Sequence, residues 1–204
     1  MKIWRTLRED FSSIRRHDPA ARGLEVLLYP SIHAMVLHRL VSHPLYRLRL
    51  FFLARFFSQI ARFLTGMEIH PGARIEGGFF CDHGMAVVIG ETARIGPNCV
   101  MFHGVTLGGT GKHQGLRHPQ VGRDVFIGTH ATLLGPIQIG DRARIGAESV
   151  IINRDVPPDC TVVGAPGKIV VQKGKKLRRP LPLPVSPYRR EEIARSINKN
   201  QTLS

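Results

Sequence analysis

Four short polar strings stand out in this chain of 204 residues, because their side chains can move protons or bind anions. They are Glu68-Ile69-His70-Pro71, Asp82-His83-Gly84, Gly90-Glu91-Thr92 and Arg117-His118-Pro119. An imidazole, with an ordinary pKa of about 6.5, can accept a proton at neutral pH. A carboxylate behind it would fix its tautomer and stabilise the cation that forms. An arginine offers a planar pair of donors that suits a carboxylate. Such groups act together only if a rigid frame positions them.

The frame is legible as a period of six. Ile69 and Ile75 are six apart, Ile89, Ile95 and Met101 repeat the step, and Val121, Ile127, Leu133, Ile139, Ile145 and Ile151 continue it unbroken. Six is neither a helical nor a strand period; it is the signature of hexapeptide repeats in a parallel β-helix. The expected fold is therefore mainly β: a left-handed parallel β-helix, the known exception to right-handed crossovers, behind an N-terminal α-helical region. Three hexads make one triangular coil, so Ile127, Ile145 and Val163 are expected to stack at the usual strand spacing of about 4.8 Å. The anchors point inward, and glycines at 122, 128, 140 and 146 are expected where the chain turns. The polar strings fall where the repeat is disturbed. The register slips between Cys81 and Ile89, and Arg117-His118-Pro119 closes a Gly-rich insertion over 108–120. Gly111-Lys112 is not a phosphate loop, since Thr106 and His113 replace the glycine and hydroxyl residue which that motif requires.

Three regions follow: helical residues 1–65, the β-helix at 66–170, and a basic, Pro-rich tail at 171–204. In the first, Ile3, Leu7, Phe11 and Ile14 give one apolar face. Asp18-Pro19 reads as a capped helix junction, and Pro30-Ser31 and His43-Pro44 as two further breaks. The tail is expected to be solvated, with one short helix around 191–197. Apolar residues make up 43% of the chain, enough to bury a core. Three cysteines without metal-ligand spacing suit a reducing cytosol. The charged N-terminus argues against a secretory signal, and Arg49, Arg55 and Arg62 argue against a membrane span through 48–64. A net charge of +14 invites a nucleic-acid reading, but no recognition motif with interleaved aromatics accompanies it. The expectation is a cytoplasmic protein that binds neither nucleic acid nor membrane.

Taken in order, Glu68-Ile-His-Pro-Gly-Ala, Asp82-His83-Gly, Val88-Ile-Gly-Glu-Thr92, Val105-Thr-Leu-Gly-Gly-Thr-Gly-Lys112 and Arg117-His118-Pro119 resemble the serine O-acetyltransferases of cysteine biosynthesis. The likeness covers residues 18–170. It implies acetyl transfer from acetyl-CoA, as co-substrate, to the hydroxyl of L-serine, with no metal. It implies His83 as general base and Glu68, where the best-known members carry Asp, as its orienting carboxylate. Asp82 would hold the substrate amino group and Arg117 and His118 its carboxylate side, with Asp18 and Glu91 reaching the same pocket. Coenzyme A, whose phosphates suit a basic surface, would lie between subunits against Gly109, Gly128, Ala131, Gly146, Ala147 and Lys168. Cys81 occupies a hexad anchor and is expected inside, which favours direct transfer over an acyl-cysteine.

The resemblance further implies a homotrimer or a dimer of trimers. Some members dock O-acetylserine sulfhydrylase through a tail ending in Ile; this chain ends Gln201-Thr202-Leu203-Ser204, which places that partnership in doubt. Two other readings remain open here. One is an acetyltransferase for a sugar or xenobiotic hydroxyl, against which the paired charges of Asp82 and Arg117 argue. The other is a zinc-dependent, carbonic-anhydrase-like β-helix, for which His83, His103, His118 and His130 are the candidate ligands.

Overall fold

The computed structural model describes residues 2–111 and 115–183. The tip of the insertion, including Lys112 and His113, lies outside the described residues, as do the helix expected around 191–197 and the C-terminal residues.

Residues from Glu68 form a triangular prism of short parallel strands. The first face stacks Glu68–Ile69, Val88–Ile89, Thr106–Gly108, Thr132–Leu134 and Val150–Ile152. The second stacks Arg74–Ile75, Arg94–Ile95, Gln120–Val121 and Gln138–Ile139. The third stacks Phe80–Asp82, Val100–Phe102, Phe126–Ile127, Arg144–Ile145 and Cys160–Val163. Most of these strands turn an aliphatic residue inward, so Ile89, Ile95, Met101, Leu107, Ile127, Leu133 and Ile145 are buried in one continuous core. Removing apolar surface from water is the main force holding coil on coil.

The stack departs from the expected one at its last coil. Ile145 pairs with Val162, and Val163 points outward, 40% exposed. Pro157 and Pro158 sit where the final coil runs one residue short, so the 18-residue count carried one position too far.

The repeat glycines also serve a different purpose from the one expected. Gly128 and Gly140 do not hold a left-handed conformation; a Cβ on either would meet the backbone of the next coil, at 2.7 Å from Ala147 N and 2.4 Å from Pro158 N. They permit close approach between coils. The turning is done by polar residues with positive φ, among them Asn98, Asp124, Arg142 and Asp159 at one corner. Asn and Asp, three of these four, tolerate that region better than most residues. Beyond Ile169 the chain does not become a loose tail at once. Lys175–Pro180 pairs antiparallel with Lys168–Gln172, which pairs antiparallel with Cys160–Val163 and closes the open end of the third face.

The helical region packs on the opposite end. It comprises α1 (Lys2–His17), a 3-10 turn (Gly23–Leu28), α2 (Pro30–Leu37), a π turn (His38–Ser42), α3 (His43–Arg47) and α4 (Phe51–Thr65). Pro30 opens α2 at a position where its missing N–H costs nothing. Pro44 does not break the chain; the π turn before it leads straight into α3. Asp18-Pro19 forms a turn rather than a helix cap, with Ala20 N donating to Asp18 Oδ1 at 2.8 Å. Gly66 ends α4 in the left-handed region at φ 73° and hands the chain to the first coil.

One buried ion pair ties the two regions together. Arg39 donates to both carboxylate oxygens of Asp10, at 3.0 and 3.2 Å, and to the carbonyls of Ile75 and Glu76. Phe79 N donates to Asp10 at 3.0 Å. Burial raises the Asp10 pKa to about 6 against the pull of Arg39. Asp10→Ala would leave the guanidinium buried without its counter-charge, an arrangement that typically costs about 3–5 kcal/mol. Thermal unfolding of that variant should show a large drop in Tm. A change of only a degree or two would mean that the pair does not lock the helices to the prism.

Candidate active site

The corner where the third face turns into the first carries Asp82 and His83. His83 adopts φ 63° at this turn, and its side chain is 71% exposed. Its Nε2 lies 3.7 Å from Asp82 Oδ2. Asp18 reaches the same corner: Tyr29 Oη donates to its second carboxylate oxygen. That bond, with the Ala20 N–H and the nearby His83, holds the Asp18 carboxyl below the usual range. Asp18, Tyr29, Asp82 and His83 thus form one cluster, of which Tyr29 was not foreseen.

Glu68 does not join it. Its carboxylate is held by Arg55 at 2.9 Å and Arg62 at 3.1 Å, both on α4, and it makes no contact with His83. A glutamate at the first strand reaches back to the cations of the helix before it, so it clamps α4 to the first coil. Cys81, next to Asp82, is buried among the core residues, and burial pushes its thiol pKa upward. A thiol so placed is an inert packing residue, as expected.

The second cluster lies at the next corner, after Val88–Ile89. Thr92 organises it. Its Oγ1 accepts from the backbone N–H groups of Arg117 (3.0 Å) and His118 (3.2 Å), so its own proton goes to His118 Nδ1 at 2.8 Å. Thr92 N donates to the same Nδ1 at 3.2 Å. With Nδ1 accepting, the neutral ring carries its proton on Nε2 and can donate from there. Burial, and then the Arg117 charge, push the His118 pKa down to about 4, so the ring is neutral at physiological pH. It packs over Gly90, where a Cβ would lie 2.0 Å from His118 Cδ2.

Arg117 donates to Glu91 Oε2 at 2.7 Å, and Tyr46 Oη donates to Glu91 Oε1 at 2.7 Å. The Tyr46 bond chiefly, with the nearby His70 and Arg117, holds the Glu91 carboxyl low. Both Glu91 carboxylate oxygens are thus engaged, one by Arg117 and one by Tyr46. The Arg117 side chain stays 37% exposed.

The six donor-side residues divide in the same way. Gly128, Gly146 and Ala147 follow the third-face strands, toward the His83 corner, while Gly109 lies against Arg117 at the other. Ala131 is fully buried inside the prism, because it occupies the inward position four past its anchor, so it cannot line an outer groove. Lys168 is exposed on the closing hairpin. The four candidate zinc ligands are likewise divided. His83, His103 and His130 share a corner with rings packed edge to face, while His118 lies at another. Among the described residues no group of three His, Cys, Asp or Glu converges as metal ligands would.

The hexapeptide pattern described as bacterial transferase hexapeptide (six repeats) matches residues 118–153, and the hexapeptide repeat of succinyl-transferase matches 86–109. A serine acetyltransferase of Bacillus subtilis is 54% identical over 181 residues, 88% of this chain and 82% of that protein. The chain belongs to the serine acetyltransferase family. A Bacillus pumilus member is 50% identical and covers 97% of this chain and 93% of its own. Among solved structures, the Neisseria gonorrhoeae serine acetyltransferase in complex with serine superposes with a TM-score of 0.77 at 42% identity, covering 81% of this chain and 68% of that one. Serine acetyltransferases are acyltransferases, and the β-helix with its helical preface is the fold shared with those structures. No helix among the described residues is long and apolar enough to cross a membrane.

Proposed function

We propose that this serine acetyltransferase moves the acetyl group of acetyl-CoA to the hydroxyl of L-serine at a site shared between two copies of the chain, in the cytoplasm. The observation that carries this reading is the separation of the two clusters. His83 comes before Val88–Ile89 and Glu91 after it. One side of the prism, about six residues at ~3.3 Å each, therefore lies between them, on the order of 20 Å. A serine molecule is far shorter than that. A threefold assembly, in which the His83 corner of one prism meets the Arg117 corner of the next, would bring both to one substrate, and closed symmetry repeats the site three times. Pairing of two such trimers is compatible with the same contact.

In that site Arg117, aimed by Glu91 and Tyr46, binds the serine carboxylate. His118 Nε2–H donates beside it, and Asp82 with Asp18 receives the ammonium. His83 takes the proton from the serine hydroxyl as the oxygen attacks the thioester carbon. The C–S bond then breaks, and the proton passes to the departing coenzyme A thiolate. A hydroxyl is a poor nucleophile at neutral pH, and a positioned base contributes about 10²–10⁴-fold. The pantetheine arm would run along the corner of Gly128, Gly146 and Ala147, toward Gly109 of the neighbouring copy and Lys168. Main-chain groups can hold it there as they hold an added strand.

The test is thiol release from acetyl-CoA across a panel of hydroxyl acceptors. L-serine should be turned over with a kcat/KM at least about 10²-fold above serinamide, sugars or chloramphenicol-like alcohols, as expected where a buried or paired charge is left unmatched. Equal turnover of a neutral sugar would favour the other acetyltransferase reading.

A further inference from the structure

The His83 ring needs something to orient it. The left-handed turn fixes only where the side chain begins, and the ring is largely exposed. Glu68 is committed to Arg55 and Arg62. Asp82 Oδ2, at 3.7 Å, is beyond hydrogen-bond length. What touches the ring is another imidazole. The centroid of His103 lies 5.7 Å from that of His83, with the planes at 78°. Behind it, His130 packs on His103 at 5.1 Å and 87°.

Three successive coils thus place a histidine at one corner, and the backbone holds them in line. His130 N donates to His103 O at 3.0 Å, and Gly104 N donates to Met85 O at 2.8 Å. Gly104 also makes room, since a Cβ there would lie 2.1 Å from His130 Nδ1. His103 Nδ1 is buried without a hydrogen-bond partner among the described residues. A buried polar atom left unpaired is uncommon and asks for a reason. The ring is packed between the His83 and His130 rings.

We propose that His103 is a positioning residue for His83: braced by His130, its ring holds the His83 imidazole edge to face in the orientation from which it takes the serine proton. This rests on the reading of His83 as the base. Offset and edge-to-face aromatic pairs have a preferred geometry that an aliphatic neighbour does not impose.

The experiment compares His103→Leu, which fills similar volume without a ring, with His103→Phe, which restores a ring without nitrogens, and with His83→Ala. Steady-state kinetics with both substrates varied should show kcat of His103→Leu lower by about three- to tenfold, the range an aromatic contact can supply. Both KM values should stay within about twofold, since ground-state binding is not its role. His103→Phe should recover most of the lost kcat. Should the leucine variant fail to fold, His103→Asn makes the same comparison. The proposal is overturned by a normal kcat in the ringless variants, by a loss confined to KM for acetyl-CoA, or by a phenylalanine variant as impaired as leucine. Residual turnover in His83→Ala equal to wild type would overturn the base assignment itself. Inactive His83→Ala beside normal His103 variants would overturn only the positioning role.

Discussion

Replacing His83 with alanine should lower kcat by at least about 10²-fold, with little change in Tm. The ring is 71% exposed and contributes nothing to the prism core, so its loss should not unfold the coils. Glu68→Gln provides the contrast. Its carboxylate holds Arg55 and Arg62 rather than the imidazole, so the substitution should lower Tm slightly and leave kcat close to wild type. Loss of kcat in Glu68→Gln comparable to that in His83→Ala would show that the carboxylate swings to the histidine during turnover.

Arg117→Lys should raise KM for serine by about tenfold or more while leaving KM for acetyl-CoA little changed. Lysine keeps the charge but loses the planar fork, and with it both the two-point grip on a carboxylate and the hold of Glu91. Bonds to charged groups contribute roughly 1.5–3 kcal/mol, which is that range of affinity. Serinamide lacks the carboxylate charge, so the variant should discriminate less between the two acceptors than the wild type. A rise in KM for acetyl-CoA with serine unaffected would instead place Arg117 on the donor phosphates.

The prism was readable from residue spacing because an inward aliphatic every sixth position is what a triangular coil needs. Cys81 was placed correctly on that basis alone, and so was the disturbance around His83. The spacing did not reveal the short last coil, where two prolines set the path and Val162 takes the inward position. Nor did it reveal why Gly128 and Gly140 are glycine, since contact between coils depends on three-dimensional stacking. The polar residues at the site were legible as types, but their partners were not. Glu68 sits in the motif position of an orienting carboxylate, yet two arginines from α4, far from any motif, claim it. Glu91 was read as a pocket residue, and its bonds to Arg117 and Tyr46, partners the sequence did not name, tie it to the support of that corner. Ala131 was assigned to a groove although its hexad position points inward, which counting from Leu133 would have shown. Tyr29 and Tyr46 come from a region whose periodicity announces helices but not which side chain meets which corner. The column of His83, His103 and His130 could have been found by counting coils through the insertion.

The shared site is tested most directly by mixing two inactive chains. His83→Ala keeps the Arg117 corner, and Arg117→Ala keeps the His83 corner. Each alone should form only defective sites. Unfolded together at equal concentration and refolded, they should assemble at random, and about one site in four would then join an intact His83 corner to an intact Arg117 corner. Serine-dependent thiol release should return to about a quarter of the wild-type rate. If each chain instead held a complete site of its own, every site in the mixture would still carry one of the two substitutions. Activity no higher than the sum of the separate variants, in mixed oligomers confirmed by mass, would contradict a site built between copies.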